Sequence, residues 1–202
     1  MHSTAATHAR HGSKPRTARR HAGPGQVAPG YWSIDGSASA LWVSAAVGAY
    51  GSVQGRFHRL SGTVELGRDP AESTVRVEVD TGSLSSGRPM LDRLLQVCGV
   101  VDTTANPWIR FTSVGLRPHQ AGTGWWLDGA LSTSTGTRDL TLHLLAPAAT
   151  GTGRASFRAL GELPPRHAGE LLGVRRGLLH GPLALALFVE AVRPPSPSYV
   201  PR

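Results

Sequence analysis

The residues that could do chemistry in this 202-residue chain are nine histidines, one cysteine, and serines and carboxylates scattered between them. Their spacing argues against most reactions. A zinc-type site needs ligands that converge, as H-x-H or H-E-x-x-H do. His2, His8, His11 and His21 lie in a basic leader, while His58, His119, His143, His167 and His180 stand singly. No metal site is expected. His143 falls on the polar phase of its strand, which predicts exposure. Cys98 sits among Val97, Gly99, Val100 and Val101, with no base or cation to favour a thiolate, and reads as a small buried thiol. The serines occupy turns without a G-x-S-x-G elbow. The glycines form neither G-x-G-x-x-G nor a phosphate loop before a helix. No catalytic residue, cofactor or nucleotide site is expected.

The formal charge of +8 suggests nucleic acid until it is divided by region. Arg10, Lys14, Arg16, Arg19 and Arg20 stand in residues 1–30 without an acid, whereas residues 31–192 carry fourteen arginines against thirteen acids. The basicity is in the tails, so a phosphate-tracking surface is not expected on the folded part. Trp108, Trp125 and Trp126 could stack bases, but a near-neutral domain argues for core roles and against a specific nucleic-acid partner. The richest apolar run, Leu183–Val189, is far too short to span a bilayer. The leader lacks an apolar stretch of signal-peptide type. A lone cysteine fits a reducing compartment. Together these predict a soluble, cytoplasmic protein.

The elements are legible in the hydrophobic period. Val75, Val77 and Val79 alternate with Arg76, Glu78 and Asp80, as a strand with one dry face requires. The same period runs through Ile109, Phe111 and Ser113, through Trp125, Leu127, Gly129 and Leu131, and through Leu140, Leu142 and Leu144. Ala155, Phe157 and Ala159 repeat it, as do Leu183, Leu185, Leu187 and Val189. Earlier strands are expected at Tyr31–Ile34, Leu41–Val43, Val53–Phe57 and Thr63–Leu66. One segment departs: after Pro89, residues Leu91, Leu94 and Leu95 fall at helical spacing, which predicts one short helix near residues 88–97. The expected fold is all-β, a single antiparallel β-barrel of about eight strands, because closure removes exposed sheet edges. Residues 1–30 read as a disordered basic leader, 31–193 as the barrel and 194–202 as a Pro-rich tail.

In order along the chain, these residues resemble the YceI-like, polyisoprenoid-binding family. The resemblance rests on Trp32-Ser33-Ile34-Asp35, Val53-Gln54-Gly55-Arg56-Phe57, Ser61-Gly62-Thr63-Val64 and the Ser83–Gly87 turn. It continues through Asp102, Pro107, Ile109, Phe111 and Ser113, then Asp128-Gly129-Ala130-Leu131, Gly136-Thr137-Arg138 and Val189-Glu190-Ala191. It implies a lipocalin-like barrel with a long apolar channel that holds an isoprenoid chain. The chain also departs from the family. Ala38, Val47, Leu91, Leu94 and Val100-Val101 replace residues that are usually polar or aromatic, and Pro165–Gly169 replaces an Arg-x-Asp-Phe-Gly stretch, with His167 in place of its Asp.

The expected function is binding, sequestration or carriage of a long apolar lipid, an isoprenoid or isoprenoid quinone, in the barrel interior. From strand phase, the ligand-facing residues are Phe57, Val77, Ile109, Phe111, Leu131, Leu142, Phe157 and Leu185, joined by Leu91, Leu94 and Leu95 of the helix. The expected partner is this lipid, with transient membrane contact and no membrane span. The alternative is a structural or partner-binding barrel whose apolar residues simply fill the interior. An enzyme on the same scaffold is a third reading, not favoured by the spacings above.

Overall fold

The computed structural model describes residues 27–48, 51–90, 92–93, 103–119, 124–151, 153–173 and 177–194. The alternating segments become strands that pair antiparallel in chain order and close on themselves. They are β1 (Gly30–Ile34), β2 (Ala40–Ala46), β3 (Ser52–Phe57), β4 (Leu60–Leu66), β5 (Thr74–Asp80) and β6 (Leu84–Ser85). The second half supplies β7 (Trp108–Pro118), β8 (Trp125–Thr133), β9 (Gly136–Leu144), β10 (Ala148–Gly151), β11 (Arg154–Leu163) and β12 (Leu183–Val192).

Twelve segments make an eight-stranded barrel, because several of them are pieces of one interrupted strand. β1 and β2 lie end to end on the same edge of β12, with Ile34 opposite Ala191 and Ala40 opposite Phe188. β3 and β4 run end to end beside them, and β5 and β6 beside those. β10 continues β9 along β11. Closure comes from β11 against β12, paired without a break from Arg154 opposite Val192 to Leu163 opposite Leu183.

The first three interruptions are neighbours and form a crease across the wall. Side chains replace the ladder bonds lost there. Ser39 Oγ donates to the Asp35 carbonyl at 2.7 Å and accepts the Glu190 N–H at 3.0 Å. Ser83 Oγ donates to the Asp80 carbonyl at 2.6 Å and accepts the Arg59 N–H at 3.1 Å. Gly36 lies so close to the neighbouring strand that a Cβ there would stand 2.2 Å from the Leu60 carbonyl oxygen.

A helix not foreseen in the sequence, α1 (Pro165–Leu172), packs against β8 and β9 at one end of the barrel. Proline suits its first turn, since an N–H there has no intrahelical partner. Gly173 ends it in the left-handed conformation, φ 73°. Ala168, Leu171 and Leu172 form its buried face. Thr133 and Thr135 donate to the Leu171 and Glu170 carbonyls, each at 2.9 Å, and so tie the free C-terminal carbonyls to the β8–β9 turn. The expected helix near 88–97 is seen as helical residues 89–90 and 92–93, the remainder lying outside the described residues. Val27, read from the sequence as part of the leader, is buried in the main core.

Candidate functional site

Strand alternation sends one set of side chains inward, and in a barrel that set must either fill the interior or line a space. Here it lines one. Three apolar chambers follow one another along the barrel axis, and adjacent chambers share walls. The proximal chamber, beside α1, is bounded by Phe57, Leu84, Leu163, Leu172, Leu179 and Leu183 among others. It shares Leu41, Ile109, Leu131 and Leu185 with a middle chamber that adds Phe111, Leu140 and Leu142. The middle chamber shares Val77, Ala159 and Leu187 with a distal chamber, which adds Val64, Leu66, Leu116, Leu127, Phe157 and Val189. The cavity volumes are about 80 Å³ in the proximal, 50 Å³ in the middle and 40 Å³ in the distal chamber. The chambers are small, and the proximal one is the roomiest.

At the distal end, β1 sets Trp32 opposite Val64, a distal-chamber residue. Trp32 points inward from β1 and its Nε1–H donates to the Ala28 carbonyl at 3.2 Å. The Arg193 guanidinium lies 4.8 Å from the Trp32 ring centre and donates to the carbonyls of Ala28 and Pro29 at 3.3 and 3.0 Å. The proximal end is built from shorter pieces. The β2–β3 turn is joined to the segment before β12 by the Val47–Leu179 bridge and by the Gly48 N–H donating to the Leu178 carbonyl at 3.0 Å.

The residues selected by strand phase meet in this channel. Phe57 is in the proximal chamber; Ile109, Leu131 and Leu185 line both proximal and middle chambers; Phe111 and Leu142 line the middle. Val77 lies between middle and distal chambers, and Phe157 in the distal one. Leu91, Leu94 and Leu95 lie outside the described residues. Beside them, Asp92 accepts from the Ser86 N–H at 2.6 Å and the Ser85 hydroxyl at 3.1 Å. Burial pushes the Asp92 carboxyl up, and these hydrogen bonds more than reverse that, leaving it below the ordinary value. Wall residues not singled out from the sequence include Leu41, Leu84, Leu163, Leu172 and Leu187. The period of β12 already pointed to Leu187. Nothing local marked Leu172, because its helix was not anticipated.

Among the described residues, the polar side chains lining the three chambers are Ser44 and Ser73. Ion pairs stand on the outer face instead: Arg59–Asp80, Arg117–Asp128, Arg138–Glu170 and Arg154–Asp35. Hydrogen bonds from Arg117 and Thr141 hold the Asp128 carboxyl below its ordinary value, and the carboxylate in turn pushes Arg117 up. Arg59 lowers Asp80, and Ser37 with Arg154 lowers Asp35. His143 corrects its expectation. Its strand phase is outward, yet it is half-buried, with Trp126 at 5.1 Å and His119 at 4.9 Å between ring centres. Of the three tryptophans considered as stacking platforms, Trp125 is core, and the guanidinium of Arg110 lies 3.9 Å from the Trp108 ring centre. His167 is half-buried on α1. Among the described residues no group of three or more His, Cys, Asp or Glu could hold a metal, and no helix is long and apolar enough to cross a membrane.

A model of the YceI-like domain matches residues 32–165. Several solved structures share the fold. BcnA of Burkholderia cenocepacia aligns with a TM-score of 0.66 at 15% identity, over 79% of this chain and 99% of its own. A polyisoprenoid binding domain from Saccharophagus degradans, implicated in plant cell wall breakdown, aligns with a TM-score of 0.55 at 13% identity, over 83% and 100%. The YCEI protein of Campylobacter jejuni aligns with a TM-score of 0.58 at 18% identity, over 70% and 85%. No curated protein matches.

Proposed function

Since the chain belongs to the YceI-like domain family, we propose that it binds a long apolar lipid of isoprenoid type along its barrel axis and carries or sequesters it. The observation that carries this reading is the run of three apolar chambers with shared walls. Support also comes from the Saccharophagus degradans relative, described as polyisoprenoid binding.

The energetics are sufficient without a polar contact to a head group. Each buried CH₂ contributes about 0.8 kcal/mol, so one isoprene unit contributes up to about 4 kcal/mol. Association and chain ordering cost on the order of 4–15 kcal/mol, which a few buried units cover. A narrow channel suits a single chain with small branches better than a fused-ring or two-tailed lipid. The small chambers must widen as the chain enters. On this reading the protein is a binder and not a catalyst: its wall presents hydrocarbon, and its charges stand outside.

The test is native mass spectrometry of the purified full chain, followed by extraction of whatever travels with it. After delipidation, retention of added decaprenol or of an isoprenoid quinone is expected at one molecule per barrel. Absence of any co-purifying lipid, together with failure to retain either probe, would favour the reading in which the interior is only a loosely packed core.

A further inference from the structure

The outer face of the barrel carries an apolar row that the channel does not use. Trp42, Ala186, Leu160, His143 and Trp126 stand opposite one another on β2, β12, β11, β9 and β8 in turn. Arg56 on β3 and Arg117 on β7 end the row, opposite Trp42 and Trp126. Trp42 is 48% and Leu160 46% exposed, where a strand's outward phase calls for polar side chains. Ala184 and Ala186 are too small to fill the space between these two, and a groove of about 570 Å³ lies there. Val43, Ser44 and Leu185 border both this groove and the proximal chamber, so the β2–β12 seam separates the two. An exposed apolar patch with a polar rim marks a surface that meets another apolar body.

The charges around the row decide which body. Arg59, Arg110, Arg117, Arg138 and Arg154 pair with carboxylates, whereas Arg56 and Arg158 have no ion pair among the described residues. Their guanidinium groups lie beside aromatic rings instead, 5.3 Å from the centre of Trp42 and 5.5 Å from that of Phe188. Phe188 shares the outward phase of Ala186 on β12 and stands opposite Arg158. A guanidinium set against a ring keeps its donors for phosphate oxygens. Tryptophan at the acyl boundary with arginine at head-group level is the pairing that a bilayer interface favours. The five cations of residues 1–30 add attraction of the same sign. Glu162, exposed beside the groove, opposes it. We propose that the outer face around Trp42 and Leu160 is a docking surface for an anionic lipid bilayer. Docked this way, the barrel sets its roomiest chamber beside the membrane. This rests on the lipid-binding reading above and adds to it the face by which the barrel meets a membrane.

The test is co-sedimentation of the full chain with phosphatidylcholine vesicles, with and without phosphatidylglycerol. Binding is expected to the anionic vesicles and not to the neutral ones. Arg158→Gln is expected to weaken it about fivefold, the effect of one charge near an anionic surface. Trp42→Ala is expected to weaken it about tenfold through lost apolar burial, and Leu160→Ser, on another strand, to repeat the loss. Glu162→Gln should strengthen it. Tyr31→Ser, which removes an exposed ring at the distal end, should leave it unchanged. Tryptophan emission should be quenched by acyl-brominated phosphatidylglycerol, and Trp42→Phe should remove most of that quenching while binding persists. Quenching unchanged in Trp42→Phe, or binding unchanged in both Trp42→Ala and Leu160→Ser, overturns the proposal, since the leader alone would then hold the membrane. A dimer that Trp42→Ala dissociates, with no vesicle binding by the wild type, assigns the face to a second copy and also overturns it. Retention of added decaprenol, measured on the same preparations, reports the channel separately. Its failure with vesicle binding intact sinks the carrier reading alone; its success in a protein that ignores vesicles sinks docking alone.

Discussion

The guanidinium of Arg193, just past the end of β12, lies 4.8 Å from the ring centre of Trp32 on β1, so residues from the two ends of the described barrel are tied together. Arg193 also donates to the carbonyls of Ala28 and Pro29. Replacing it by alanine removes a cation–ring contact and two carbonyl bonds. A loss of about 1–2 kcal/mol in urea unfolding is expected, with Arg193→Lys intermediate because it keeps charge without the planar fork. Trp fluorescence should become more accessible to a quencher in the alanine variant. An unchanged midpoint would mean that these contacts add nothing to stability.

Ala159 belongs to the walls of both the middle and distal chambers. Ala159→Phe would place a ring at this junction. The expected result is at least tenfold weaker retention of a long chain such as decaprenol, with a short isoprenoid such as geraniol retained as before. Overpacking should cost about 1–3 kcal/mol of stability. Equal loss of long and short chains would argue that the ligand does not pass the junction.

Gly129 is required by a neighbour and not by its own backbone angles. A Cβ on it would lie 2.4 Å from Phe111 Cζ and 2.7 Å from the Thr112 carbonyl oxygen. Phe111 lines the middle chamber, so Gly129→Ala should push its ring toward the channel axis. About 1–3 kcal/mol of destabilisation is expected, with narrower lipid capacity. Pairing the change with Phe111→Leu should restore part of the stability; additive losses would show that ring and methyl do not compete.

The lowered carboxyls of Asp35, Asp80 and Asp128 make stability acid-sensitive. A carboxyl held below its unfolded value of about 3.9 contributes stability that is complete above that value and is lost as pH falls through the folded one. Urea midpoints should therefore be nearly flat from about pH 7 to 5 and fall below about pH 4. Asp128→Asn should flatten part of that acid slope and cost only a few tenths of a kcal/mol to about 1 at neutral pH, because its partner Arg117 is exposed. An identical slope in the variant would assign the acid sensitivity to other groups.

The inward phase of β5, β7, β8, β9 and β11 was legible because each strand alternates cleanly and one face is dry. Val77, Phe111 and Leu142 could therefore be placed on that face without coordinates. Other features depend on what stands across the wall. α1 was hidden because Pro164-Pro165 reads as a turn, and its buried face consists of only Ala168, Leu171 and Leu172. The outward phase of His143 was right, but its cover came from Trp126 and His119, and no single-strand pattern reveals that.

The crease formed by Asp35–Ser39, His58–Arg59 and Thr81–Ser83 divides one wall into two panels. Hydroxyls at Ser39 and Ser83 stitch the fold line, and such bonds re-form more easily than a continuous ladder. Side chains, and not ladder bonds alone, thus hold the panel of β2, β3 and β6 to that of β1, β4 and β5 along this line. With its bond to Ser83 Oγ in place of a ladder partner, the Arg59 amide should exchange with deuterium sooner than that of Val77.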